Sequence, residues 1–150
     1  MTTPACVPRL PERPLGETVA DAMLHRPDTF PLDASASDLR EFFESDHAHA
    51  ALVVDHRGRL RSVIERADLG NHEPRAPITT LGRLAGRTVD ADADLGRTWH
   101  TMTSRKLRRL AVTHPGTDVL LGLLCLKRSG LGFCSDADVA ARRADSRSAR

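Results

Sequence analysis

Apolar positions along this chain switch between strand and helix periods, and the whole succession occurs twice. Thr29 to Leu32 reads as a short strand. Ser35, with Asp38 three residues on, has the form of a capping box, and Leu39, Phe42 and Phe43 then share one helical face. Ala50 to Val54 reads as a buried strand, Asp55-His56-Arg57-Gly58 as a turn, and Arg59 to Ile64 as the return strand of a hairpin. After a proline-bearing linker the plan repeats. Thr88-Val89 opens it, Asp94 is an N-cap candidate, and Leu95, Trp99 and Met102 fall at i, i+4 and i+7. Leu110 to Thr113 is the next strand, His114 to Asp118 the turn, and Val119 to Leu126 the return. One offset aligns the copies: Thr29 and Thr88 stand 59 apart, as do Ala51 and Leu110.

A unit of this size used twice is a duplicated half, since solenoids need three or more copies to bury their stacking faces. The expected fold class is α/β (α+β): two pseudo-symmetric β-α-β-β-α motifs packed through their sheets, with Ala51–Val54 facing Leu110–Thr113. A crevice between such halves is where small ligands lodge. The expected division is a flexible tail over 1–14, a first motif over 15–70, a linker over 71–77, a second motif over 78–143 and a flexible tail over 144–150. Leu15 to Leu24 predicts a short helix ended by Arg26-Pro27, and Ser135 starts a terminal helix after a loop over Lys127 to Leu131.

Composition narrows the function classes. The 150 residues are 40% hydrophobic and 28% charged, which is ordinary for one compact domain. A net charge of +2, aromatics at 3% and no Tyr give no nucleic-acid-binding surface, so that partner is not expected. Cys6, Cys125 and Cys134 are odd in number and form no C-x-x-C pair, which points to a cytoplasmic protein with Cys125 and Cys134 as small core residues. No signal-like arrangement opens the sequence, and the apolar run Val119 to Leu126 is far short of the ~20 residues that span a bilayer, so no membrane partner is expected. His47 and His49 beside Asp46 diverge if they lie on a helix, and no metal is expected there. No Ser/His/Asp or Cys/His arrangement argues for catalysis, so the chain is not expected to be an enzyme.

The order of short motifs resembles a tandem pair of cystathionine-β-synthase-type (CBS) domains, known as a Bateman module, over roughly residues 15 to 143. The likeness rests on Val19-Ala20-Asp21-Ala22-Met23 before the first strand, on Thr29-Phe30-Pro31 and Thr88-Val89, and on the two hairpins. It also rests on the endings Ser62-Val63-Ile64-Glu65-Arg66-Ala67-Asp68 and Gly132-Phe133-Cys134-Ser135-Asp136-Ala137-Asp138. The resemblance implies a non-catalytic regulatory module needing no cofactor. It implies clefts that take AMP, ADP, ATP or S-adenosylmethionine as a regulatory ligand, a homodimer, and a regulated partner protein that the sequence does not identify. A ligand-free dimerisation or interaction domain of the same fold is the alternative.

The resemblance places Thr29, Phe30, Thr88 and Val89 where backbone reads an adenine edge. It places Asp68 and Asp138 where a carboxylate accepts from ribose hydroxyls, and Ser135 where a hydroxyl meets phosphate. In the first half Glu65 stands at the Ser/Thr position and Ser62 replaces the usual glycine. A carboxylate about 4 Å from a phosphate charge costs on the order of 4 kcal/mol at an effective dielectric near 20. Arg61 or Arg66 is available to offset part of that, and Asp68 either holds a ribose or caps its helix. In the second half the full motif arrives late: the spacing from the hairpin puts Gly122, Cys125 and Arg128 at the motif positions, whereas Gly132, Ser135 and Asp138 match in type. Either a loop returns the later motif to its place, or Ser135 and Asp138 only cap a helix. A phosphorylated ligand is therefore expected in the second half, with Arg108 or Arg109 neutralising phosphate. Phe42, Phe43, Trp99 and Met102 are either dimer surface or core.

Overall fold

The computed structural model describes residues 17–70 and 75–141. Both expected tails, residues 71–74 of the linker, Leu15, Cys6 and the Arg142-Arg143 pair lie outside them. The first half carries β1 (Thr29–Phe30), α1 (Ala36–Phe42), β2 (Ala50–Val54) and β3 (Leu60–Glu65), followed by a 3-10 turn at Arg66–Asp68. The second carries β4 (Thr88–Asp90), α2 (Leu95–Arg105), β5 (Arg109–Thr113) and β6 (Leu120–Cys125), followed by α3, helical over 136–141.

Each half folds one three-stranded sheet. β1 lies parallel to β2, with Thr29 opposite Leu52, and β2 is antiparallel to β3. Thr88 lies opposite Ala111 in the equivalent β4–β5 pair, and β5 is antiparallel to β6. Even the irregularities repeat: the register slips between Val53 and Val54, and again between Val112 and Thr113. The caps are those the sequence suggests. Ser35 Oγ accepts from the Asp38 N–H at 3.2 Å while Asp38 accepts from the Ser35 N–H at 2.9 Å, and Asp94 accepts from the Arg97 N–H at 2.8 Å. Leu39, Phe43, Trp99 and Met102 are core, and Phe42 alone of the helix-face aromatics is half-buried.

The sheets face one another. Leu52 and Ala111, related by the offset, bury together with Leu60 and Val63 in a core shared by both halves. At the hairpins Arg59 bridges Val119, the Leu60 N–H donates to Asp118 O at 2.6 Å, and the Leu120 N–H donates to Gly58 O at 3.0 Å. These contacts map onto one another under the repeat, so the pseudo-two-fold axis passes between Arg59 and Val119.

The lead-in segments cross between the halves. The helix expected over Leu15–Leu24 is a single 3-10 turn, Val19–Asp21. Its backbone is spent on the other half: the Val19 and Ala20 N–H groups donate to Ala93 O and Ala91 O, and Leu24 exchanges both hydrogen bonds with Leu123. The second lead-in mirrors this, with a turn at Ile78–Thr80 and Arg83 exchanging both bonds with Val63. Val19 and Ala22 consequently bury with Leu95, Met102 and Val112, while Ile78 and Leu81 bury with Ala36, Leu39 and Val53. The sheets divide between the two stretches of chain, but each half-core is completed by the other stretch.

Close approach of each lead-in to its strand explains an anomaly in the motifs. A Cβ on Gly122 would overlap Leu24 O and lie 2.7 Å from Met23 Sδ. In the other half Ser62 occupies the equivalent strand position, and the residue facing it is Gly82, at φ +72°, where a Cβ would overlap Val63 O and sit 2.9 Å from Ser62 Oγ. Met23 and Gly82 stand 59 apart. The glycine has moved from the strand to the segment that crosses it, and Ser62 uses its hydroxyl to donate to Leu81 O at 2.7 Å.

Candidate functional site

Crossing lead-ins set the residues before β4 against the end of the first half, and the residues before β1 against the end of the second. Two clefts result, and they differ. In the first, Arg87 is 6% exposed and fills the space. Its guanidinium lies 2.6 Å from Asp68 Oδ2 and 3.2 Å from Glu65 Oε1, and it donates to Val63 O at 2.8 Å. Asp68 also accepts from the Glu65 N–H at 2.8 Å. Burial pushes the Asp68 carboxyl up, but the hydrogen bonds from Arg87 and the Glu65 N–H, with the charges of Arg87 and Arg83, outweigh it and hold the group below its ordinary range. The carboxylate expected to accept from a ribose is thus engaged by the chain itself. Arg66, expected to offset Glu65, instead donates to Phe43 O, Ser45 O and Ala48 O, and so fixes the connection from α1 to β2.

The second cleft is open, with a volume of about 780 Å³. Asp28, which stands 59 residues before Arg87, lies in its wall where the other cleft has its guanidinium. The wall combines Leu24 to Asp28, Phe42, Ser45 and the segment from His47 to Ala50, and Arg109, Leu123, Cys125 and Asp136 from the second half. Asp136 is held in place by His25, whose N–H donates at 3.0 Å and whose ring Nδ1 lies at 2.8 Å. Those side-chain and backbone hydrogen bonds, with the nearby charge of Arg26, keep the Asp136 carboxyl below its ordinary range. Of the two arginines offered for phosphate, Arg108 donates to Leu126 O at 3.3 and 3.1 Å, and Arg109 faces the cleft.

Between β6 and the late motif the chain loops out and returns. Past β6, Leu126 bridges Phe133 and the Cys134 N–H donates to Cys125 O at 2.8 Å, so the chain leaving at Cys125 returns beside it. Ser135 Oγ then accepts from the Asp138 N–H at 3.1 Å and Asp138 accepts from the Ser135 N–H at 3.0 Å. The Asp138 bond to the Ser135 N–H matches the Asp68 bond to the Glu65 N–H. The Trp99 indole N–H donates to Gly130 O at 2.7 Å and pins the loop.

Of the expected contact residues, Arg109 alone lines the open cleft. Asp138 is exposed, and Ser135 is half-buried with its hydroxyl in the cap. Thr88 and Val89 sit on β4, and β5 separates that strand from β6 and Ser135. Thr29 and Phe30 begin one residue beyond the wall at Asp28, and Asp68 belongs to the filled cleft. His25, Arg26, Asp28 and Asp136 were not anticipated. The offset does map Arg87 onto Asp28, but nothing local in the sequence reveals that the lead-ins cross.

Residues 19–71 match the CBS domain family. No curated protein sequence matches the chain. Among solved structures, the CBS domains of a transcriptional regulator from Streptococcus pneumoniae superpose at a TM-score of 0.61 with 15% identity, covering 84% of this chain and 98% of that one. CBSX2 in complex with AMP gives 0.63 at 19% identity, over 85% and 98%. The cytosolic domain of the Mg2+ channel MgtE in complex with ATP gives 0.61 at 18%, over 85% and 50%. Among the described residues no helix is long and apolar enough to cross a membrane. With one family match in its first half, two halves that repeat the same sheet order, register slip and crossing lead-in, and solved CBS-domain structures superposing over the chain, the chain has the fold of a tandem pair of CBS domains.

Proposed function

We propose that the open cleft takes an adenosine-type ligand and that the protein is a non-catalytic regulatory module of the cytoplasm. The observation that carries this reading is the inequality of the clefts: Arg87 occupies one, and Asp28 leaves the other open at about 780 Å³. That volume falls within the ~300–1,000 Å³ of small-molecule sites. Leu24, Phe42 and Leu123 offer apolar surface for a base, Arg26 and Arg109 offer cations for phosphate, and Asp28 and Asp136 offer acceptors for ribose hydroxyls. The AMP and ATP complexes of CBSX2 and MgtE, which share the fold, support the choice of ligand class. A ligand there touches both halves and so favours one relative arrangement of them, which is how binding becomes a signal.

Thermal shift with AMP, ADP, ATP and S-adenosylmethionine tests the reading. One of the four, at about 100 times its Kd, is expected to add ~2.7 kcal/mol of stability. No stabilisation by any of them would overturn it in favour of a ligand-free interaction domain, a reading to which the self-filled Arg87 cleft points. The protein is further proposed to form a homodimer, checked by light scattering at high micromolar concentration; a mass of one chain would exclude it.

A further inference from the structure

Cys125 ends β6, and Cys134 lies on the segment that returns beside it. The 2.8 Å hydrogen bond from the Cys134 N–H to Cys125 O, with the Leu126–Phe133 bridge next to it, sets the two cysteines opposite each other across an antiparallel pair. Residues so paired hold their Cα atoms about 5.5 Å apart, within the ~4.4–6.8 Å that disulfides require. The two sulfurs already lie 3.1 Å apart. About 1 Å of approach brings them to the ~2.05 Å of a sulfur–sulfur bond. Both thiols are buried, packed with Leu24 and the half-buried Leu123 and Val139, which holds them together. Cys125 also lines the open cleft, which gives a small reagent a route to its sulfur.

We propose that Cys125 and Cys134 are a reversible redox pair whose disulfide closes the base of the hairpin over 126–133. The oxidant is a small-molecule disulfide. The Cys125 thiolate attacks one sulfur of the reagent, breaking its sulfur–sulfur bond and releasing one thiolate. The Cys134 thiolate then attacks the Cys125 sulfur of the mixed disulfide, forming the internal bond and releasing the second. The protons of the two cysteines pass to the two released thiolates, so two protein thiols are oxidised and one reagent disulfide is reduced. The pairing is independent of whether the cleft takes a nucleotide.

The test uses the full chain carrying Cys6→Ser, equilibrated with oxidised and reduced glutathione at graded ratios, then alkylated and mapped by mass spectrometry. The expected result is that both thiols disappear together, a peptide linked through Cys125 and Cys134 appears, no glutathione is retained, and dithiothreitol reverses the change. Adding Cys134→Ser should stop the reaction at a glutathione adduct on Cys125. Retention of glutathione by the two-thiol protein, or two thiols that remain fully alkylatable in oxidised glutathione alone, would overturn the assignment.

Discussion

Arg87 and Asp28 hold equivalent positions 59 residues apart, and their opposite charges decide the fate of the two clefts. Arg87 reaches Asp68 at 2.6 Å and Glu65 at 3.2 Å, and its side chain is only 7% exposed. Its removal leaves the Asp68 and Glu65 carboxylates without their ion-pair partner, and Val63 O keeps only the Arg83 N–H as a donor. Arg87→Met, which keeps the apolar stem, is expected to cost about 3 kcal/mol, the lower end for breaking a buried pair because Glu65 is 42% exposed. Urea unfolding at neutral pH measures it. A loss within ~0.5 kcal/mol, the range of ordinary surface substitutions, would show that the ion pair does not hold this cleft.

The same pair has a pH signature. A carboxyl held below its ordinary range in the folded chain contributes stability above its unfolded pKa and loses that contribution as pH falls through the folded value. For Asp68 the loss therefore comes on acidification, beginning near the unfolded pKa of about 3.9 and continuing below it. Asp55 and Asp136 are also held low, so the wild-type chain keeps part of its acid sensitivity in any single variant. Stability followed from pH 6 to pH 2 should fall less steeply in Arg87→Met than in wild type. Parallel curves would contradict the Arg87–Asp68 assignment.

The crossing of the lead-ins has its own test at Gly122. An added Cβ there meets Leu24 O and Met23 Sδ, so Gly122→Ala must push the first lead-in off β6. The expected cost is about 2–3 kcal/mol, as for overpacking a filled core. Hydrogen exchange should rise at the Leu24 and Leu123 amides, which pair with each other at 2.7 and 3.0 Å. Unchanged exchange at both would mean that the lead-in does not dock there in solution.

Much of the fold was legible because it is local. Ser35 with Asp38, Asp94, and the hairpin glycines Gly58 and Gly116 at φ +78° and +73° all act within a few residues of themselves. The offset of 59 then carried the first half onto the second. What was not legible is long-range. The lead-in over Leu15–Leu24 reads as a helix by its spacing, yet its backbone groups find partners in the other half at Ala91, Ala93 and Leu123. Glu65 reads as a repulsion to phosphate, whereas its nearest cation comes from Arg87. Asp136, lying between the motif residues Ser135 and Asp138, carries no local signal, because its partner His25 is 111 residues away in the chain.

Calorimetry on one further pair of variants tests the inequality of the clefts most directly. Asp28→Arg places in the open cleft the side chain that fills the other one, and Arg87→Met empties the filled one. Wild type is expected to bind one adenine nucleotide per chain. Asp28→Arg should weaken that binding at least ten-fold, equivalent to about 1.4 kcal/mol, and Arg87→Met should leave it in place. Nucleotide binding that survives Asp28→Arg unchanged, or that is lost in Arg87→Met while the chain stays folded, would contradict the assignment of the site to the open cleft.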